Sequence, residues 1–209
     1  MVFNRTSDDR PLSLEEIRKR ANLLVIDDHA VPFLRLFERD GYNIQRWVRV
    51  ENLSDLTEGR FDLILLDMHG IAVKDSPVQH GLGILKHIKE TDPAQLVIAY
   101  SAQDWSPSTS DFFRMADAVL DKTAQYVDYK ALVDQLLQRR FSAGYFVSLV
   151  NGVLADKAAA APRAVAKSLK AIRTGNTSRL SSYLKSKIQD EKTIDRVLAI
   201  ISIAITVLR

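Results

Sequence analysis

The chain of 209 residues contains no cysteine. That excludes disulfides, a thiolate metal site and a cysteine nucleophile, and it fits a reducing compartment such as the cytoplasm. The segment Met1 to Pro11 is polar and charged. It has no apolar core of the kind a secretory signal needs. No apolar run approaches the twenty residues that cross a bilayer. The longest, Val197 to Leu208, has twelve. No GxxxxGK[ST] loop is present, which argues against a nucleoside triphosphatase. Gly81-Leu-Gly83 lacks the third glycine and the preceding strand of a dinucleotide fingerprint. The four histidines, His29, His69, His80 and His87, fall into no metal-ligand spacing. There is no internal repeat.

What is present is divided unevenly. Residues 1–138 carry 16 Lys/Arg against 22 Asp/Glu, a balance of −6, and residues 139–209 carry 13 against 4, a balance of +9. Such a break suggests two parts with different tasks. An acidic first part can host a cation. A basic second part suits an acidic partner, an anionic surface or nucleic acid.

The first part alternates short apolar runs with amphipathic stretches. Ser13-Leu-Glu-Glu16 has the spacing of a capping box and opens a short helix to about Arg20. Leu23 to Ile26 reads as the first strand. A helix then carries Val31, Leu34, Leu36 and Phe37, with Pro32 in its first turn and Gly41 at its end. Asn43 to Val50 reads as the second strand. Leu53 and Leu56 belong to a short helix that closes near Gly59. Leu63 to Leu66, four apolar residues ending in Asp67, have the pattern of a strand buried on both faces. A polar loop, Met68 to His80, leads to a helix over Gly81 to Glu90. Gln95 to Tyr100 is the fourth strand. A turn at Ser106 to Ser110 precedes a short helix through Phe112, Phe113 and Met115. Ala116 to Leu120 is the fifth strand, and Tyr126 to Arg140 a helix. Strands alternating with helices imply βαβ units and a parallel sheet. The fold class expected is α/β and doubly wound, with an all-α extension. The divisions expected are residues 1–20, 21–140 and 141–209.

The strand ends carry the chemistry. Strand one ends in Asp27-Asp28, strand three in Asp67 and strand four in Ser101-Ala102; strand five is followed by Asp121-Lys122. A parallel sheet brings all of these to one edge, where open α/β sheets hold their ligands. Taken singly, Asp27-Asp28 is a turn or cap, Ser101 a cap and Lys122 a solvated lysine. Together, three carboxylates repel unless a cation lies among them. Oxygen-only donors without histidine or cysteine favour Mg²⁺ over zinc. A hydroxyl and an ammonium beside that ion suit the oxygens of a phosphoryl group. An aspartate can itself be the nucleophile, forming an acyl phosphate.

This order of paired acids, lone aspartate, Ser-Ala and lysine resembles the receiver domain of two-component response regulators, over roughly Asn22 to Arg140. The resemblance implies a five-stranded flavodoxin-like sandwich with Asp67 as phosphoacceptor. It implies Mg²⁺ held by Asp28, Asp67 and the backbone carbonyl of His69, with Asp27 acting directly or through water. Ser101 is similar to the family's switch hydroxyl, and Lys122 to its phosphate-pairing lysine. A histidine kinase or phosphotransfer protein would be the donor. No catalysis is implied beyond phosphoryl transfer to Asp67 itself. Three features depart from the family: no proline follows closely after Asp67, the loop to Gly81 is about six residues longer than usual, and Thr123 replaces the cis proline after the lysine. That replacement implies either a non-proline cis bond or a rearranged loop. Val119 stands where the family has its switch aromatic, with Tyr100 and Trp105 as nearby aromatics. His29 and His69 should rim the site.

Beyond Arg140 the chain reads as helices broken near Pro162, at Gly175-Asn176 and at Gln189 to Glu191. Val165, Leu169 and Ile172 make one apolar stripe; Leu180, Tyr183, Leu184 and Ile188 make another, with basic residues between. Val197 to Leu208 is apolar all round and must be buried, in a bundle, in a partner or against a second copy, with contact at a membrane surface as the other option. The function expected is a phosphorelay acceptor signalling through these helices by protein–protein contact or dimerisation. The alternatives are a receiver-like scaffold that works without phosphorylation and a DNA-binding regulator.

Overall fold

The computed structural model describes residues 12–69, 80–102 and 114–209. Helix α1 (Leu14–Arg20) begins in the expected capping box: the Ser13 hydroxyl accepts from the Glu16 N–H, and the Glu16 carboxylate accepts from the Ser13 N–H at 2.7 Å. Five strands follow: β1 (Asn22–Ile26), β2 (Asn43–Trp47), β3 (Leu63–Asp67), β4 (Leu96–Ser101) and β5 (Ala118–Asp121). All neighbours pair in parallel, in the order β2-β1-β3-β4-β5. That order, with helices on both faces, is the flavodoxin-like doubly wound fold.

The central strands are where the sequence is most apolar. Every residue of β3 and β4 is buried. Leu63 to Leu66 are 0% exposed, so replacing Leu65 by alanine would cost about 2–5 kcal/mol. The alternation of their side chains divides the interior in two. Leu63, Leu65, Ile98 and Tyr100 face α1, α2 (Leu34–Arg39) and α4 (Tyr126–Arg140). Ile64, Leu66, Val97 and Ala99 face the short 3₁₀ helix Leu53–Leu56 and α3 (His80–Thr91).

Several element ends differ from the sequence reading, most by a single residue. Pro32 lies in the turn before α2 rather than in its first turn. The second strand stops at Trp47, where Val48 turns out to solvent at 52% exposed. The fifth strand starts at Ala118, because the Asp117 side chain is used to accept from the Val97 N–H at 2.9 Å. Met115 sits in a turn; the rest of the short helix expected before it, and most of the loop Met68 to His80, lie outside the described residues.

Four helices complete the chain: α5 (Ala143–Leu154), α6 (Ala164–Thr174), α7 (Ser178–Lys187) and α8 (Glu191–Leu208). The breaks come where expected. The middle one is fixed by Gly175, whose φ of 66° is the left-handed conformation glycine adopts at little cost. Helix α8 buries Ile194, Val197, Ile201 and Ala204 and packs on α5, α6 and α7, so the apolar C-terminal run is the spine of a bundle. Among the described residues no helix is long and apolar enough to cross a membrane.

The bundle attaches at the edge of the sheet where the strands begin. Ala94, just before β4, has its carbonyl capped twice, by Arg140 Nη1 at 2.6 Å and by the Tyr145 hydroxyl at 2.8 Å. Arg140 is 1% exposed, its guanidinium lies 5.5 Å over the Phe146 ring, and its Nε is 3.5 Å from Asp62. Arg20, at the end of α1, lies over Phe141 and reaches the Thr206 carbonyl at 3.5 Å.

Candidate functional site

The opposite edge, where the strands end, gathers the acids. Ile26 pairs with Leu66 in register, so the next residues, Asp27 and Asp67, come out side by side on adjacent strands. Asp67 in turn pairs with Tyr100, and Ser101 with Asp121. Asp27 and Asp67 are buried, at 3% and 1% exposed. Lys122 joins them: its Nζ donates to Asp67 Oδ2 at 2.7 Å and lies 3.1 Å from Asp27 Oδ2. Donor atoms of Asp27, Asp28, His29 and Asp67 all lie within 4.8 Å of one another.

Each carboxylate is also held by its own backbone. Asp27 Oδ1 accepts from the His29 N–H at 2.8 Å, and Asp67 Oδ1 from the His69 N–H at 3.1 Å. These tight turns at the strand ends aim both side chains along the sheet edge. Helix α3 presses on the same place. A methyl group on Gly81 would sit 2.2 Å from the Asp67 carbonyl oxygen and 2.8 Å from the Met68 Cα, so only glycine permits this approach.

Burial pushes the Asp67 carboxyl above its ordinary range, although Lys122 and the His69 N–H pull the other way. For Lys122, burial lowers and the hydrogen bonds it gives to Asp67 and Asp27 raise; the bonds prevail, and the ammonium is held above its usual range. Two buried carboxylates share one ammonium. Their oxygen donors suit a hard divalent cation, Mg²⁺ foremost, and the cluster adds the His29 imidazole as a nitrogen donor.

The structure brings Asp27, Asp28, Asp67 and Lys122 together as the sequence order implied. Ser101 ends β4, buried, with its carbonyl accepting from the Lys122 N–H at 2.8 Å. His69 contributes its N–H to Asp67. His29 does more than rim the site: its Nδ1 is 2.7 Å from Asp28 Oδ1, and it stands among the possible donors. The described peptide bonds are trans, Lys122–Thr123 included. The loop is rearranged instead. Thr123 donates through its N–H and hydroxyl to Asp121 Oδ1, at 2.7 and 2.6 Å, forming a turn directly after Lys122. Lys122 still reaches Asp67.

The residue that sequence reasoning undervalued is Tyr100. It is 1% exposed, and its hydroxyl donates to Asp27 Oδ2 at 2.8 Å. Burial, with Asp27 beside it, pushes its ionisation far up, so it remains a donor. The signal was available: a tyrosine within an otherwise apolar buried strand needs a partner for its hydroxyl. Trp105 lies outside the described residues.

Beside the acids opens a cavity of about 740 Å³, lined by Phe33, Leu36, Tyr100, Tyr126 and Tyr129 and also by Asp27, Asp67 and Lys122. Nothing in the sequence pattern pointed to it, because its walls come from three separate segments.

No protein-family model matches the chain, and no curated protein matches it. Solved structures similar to it include a CheY-like response regulator receiver domain protein from Methanospirillum hungatei JF-1. That match has 21% identity and a TM-score of 0.48, and covers 57% of this chain and 95% of that one. The signal receiver domain of a LuxO repressor protein from Vibrio parahaemolyticus matches at 22% identity and a TM-score of 0.47, over 58% of this chain and 92% of that one. The BeF3-activated receiver domain of DrrB matches at 21% and 0.45, over 56% and 97%. The likeness is one of fold. It concerns the doubly wound part, and the remainder of the chain is helical.

Proposed function

We propose that the chain is a phosphoacceptor of a two-component phosphorelay and that Asp67 is the acceptor. The observation that carries this reading is the convergence of Asp27, Asp28 and Lys122 on one buried carboxylate, with Lys122 2.7 Å from it. In the reaction, an Asp67 oxygen attacks the phosphorus of a phosphohistidine on a kinase or phosphotransfer protein. The O–P bond forms as the P–N bond breaks, and the nitrogen keeps the electron pair. Asp27, Asp28, Asp67 and the backbone carbonyl of His69 are the proposed ligands of Mg²⁺, which when bound would neutralise charge on the phosphoryl oxygens. Lys122 would exchange a carboxylate for a phosphoryl oxygen, and the Ser101 hydroxyl would turn to another.

In this reading residues 21–140 are the receiver unit and residues 141–209 the output, acting by protein–protein contact or self-association. A change at Asp67 would travel to them along α4, which spans from the loop after Lys122 to Arg140. Incubation with acetyl phosphate and Mg²⁺, followed by phosphate-affinity electrophoresis, should retard the wild type and leave Asp67→Ala unshifted. A wild type that stays unmodified overturns the proposal in favour of a phosphorylation-independent scaffold.

A further inference from the structure

The cavity beside the acids is within the usual size range of small-molecule sites, about 300–1,000 Å³, and phosphoryl chemistry leaves it unused. Its walls are aromatic faces. The Phe33 ring stacks on Tyr129 with centroids 4.3 Å apart, and Tyr100 stands edge-on to both at 6.2 Å. Three tyrosines line it, yet each hydroxyl is already spent: Tyr100 on Asp27, Tyr126 on the Leu36 carbonyl and Asp40, Tyr129 on the Asp121 carbonyl. The walls therefore offer surface rather than polar contacts. Phe33, Leu36 and Tyr126 are only partly buried. They would gain burial from an occupant, at about 25 cal/mol per Å² of apolar surface removed from water.

Polar selection falls to the lining acids and Lys122. There two carboxylates outnumber one ammonium, and Asp28 stands close by. An anion would meet Asp27 and Asp67 at the same time as Lys122, whose short contacts are both to carboxylates. A cation meets net negative charge. The cavity already shows how it treats an ammonium: Lys122 Nζ lies 5.3 Å over the Tyr100 ring, between the two acids. Aromatic faces beside carboxylates are the surroundings that alkylammonium groups prefer.

We infer that this cavity binds a small apolar amine, its ammonium at the Asp27/Asp67 end and its hydrocarbon or aryl body between Phe33, Tyr126 and Tyr129. The ammonium and a divalent cation then compete for the same charge, so the amine and Mg²⁺ exclude each other. The proposal concerns the unmodified chain and rests on the phosphorelay reading only for its Mg²⁺ site.

The test is an NMR titration of the full 209-residue chain in EDTA with 4-phenylbutylamine and, separately, 4-phenylbutyrate. The amine should shift amides around Phe33, Tyr126 and Lys122 and bind at least roughly tenfold more tightly than the carboxylate, a difference of about 1.4 kcal/mol. Saturating Mg²⁺ should weaken the amine severalfold. Val31→Trp and Ala124→Trp, which fill the cavity from two different segments and touch no acid, should each cost at least about tenfold in affinity while circular dichroism reports an intact fold. If one of them misfolds, the other decides. No shifts with the amine at millimolar concentration, equal binding of amine and carboxylate, or undiminished binding by a folded filling variant would each overturn the inference.

Discussion

Removal of the Arg140 guanidinium is the sharpest test of how the chain is held together. The side chain is 1% exposed and gives one short hydrogen bond to Ala94, one ion pair to Asp62 and one ring contact to Phe146. Asp92, 6% exposed, lies in the same charge field: burial raises its carboxyl, and Arg140 is among the groups that lower it. Removing one partner of a buried charge pair costs about 3–5 kcal/mol. Two details moderate the figure here. Ala94 keeps the Tyr145 hydroxyl, and Asp62 keeps the Asn22 N–H at 3.0 Å. The expected loss for Arg140→Ala is therefore at the lower end, about 3 kcal/mol. Arg140→Met refills most of the volume and should lose about 2 kcal/mol, the charge-assisted hydrogen bond alone. Urea unfolding read by circular dichroism gives both numbers by linear extrapolation. Amide exchange should also show α5 to α8 losing protection first. A stability for Arg140→Met within about 0.5 kcal/mol of wild type would refute the reasoning, because surface substitutions fall in that range.

Further outcomes follow from the site. Asp67→Asn should raise the melting temperature in EDTA: the folded carboxyl titrates above its unfolded value, so the wild type loses stability as pH rises through that window, and the gain should be larger at pH 8 than at pH 4. Tyr100→Phe strips a donor from buried Asp27 and should cost about 1.5–3 kcal/mol in urea. Gly81→Ala must move α3 off the Asp67 carbonyl and should impair phosphorylation by acetyl phosphate more than its urea stability suggests, whereas an unchanged rate would show that the helix yields freely. Gly175→Ala should cost about 1 kcal/mol from its left-handed backbone alone, since the Arg209 side chain that it meets can swing aside.

The two apolar runs at the centre of the sheet were legible because they are buried on both faces and need no partner beyond more apolar surface. Helix α4, Tyr126 to Arg140, was legible to the residue because its apolar spacing and both ends are local. The acids were found because strand ends converge in any parallel sheet. What escaped depends on contacts far apart in sequence. Arg140 reads as an ordinary basic residue at a helix end, and its burial arises from Ala94 and Asp62, 46 and 78 positions away. Tyr100 reaches Asp27 across 73 positions. The end of β2 depends on Val48 facing water, which a pattern of apolar letters cannot express.

The helical bundle hangs from the strand-beginning edge and leaves the acidic edge to other molecules. Five or six residues of strand separate the two, roughly 17–20 Å. On the proposed reading, a partner at Asp67 and a partner at α5 to α8 would therefore meet surfaces at opposite ends of the strands.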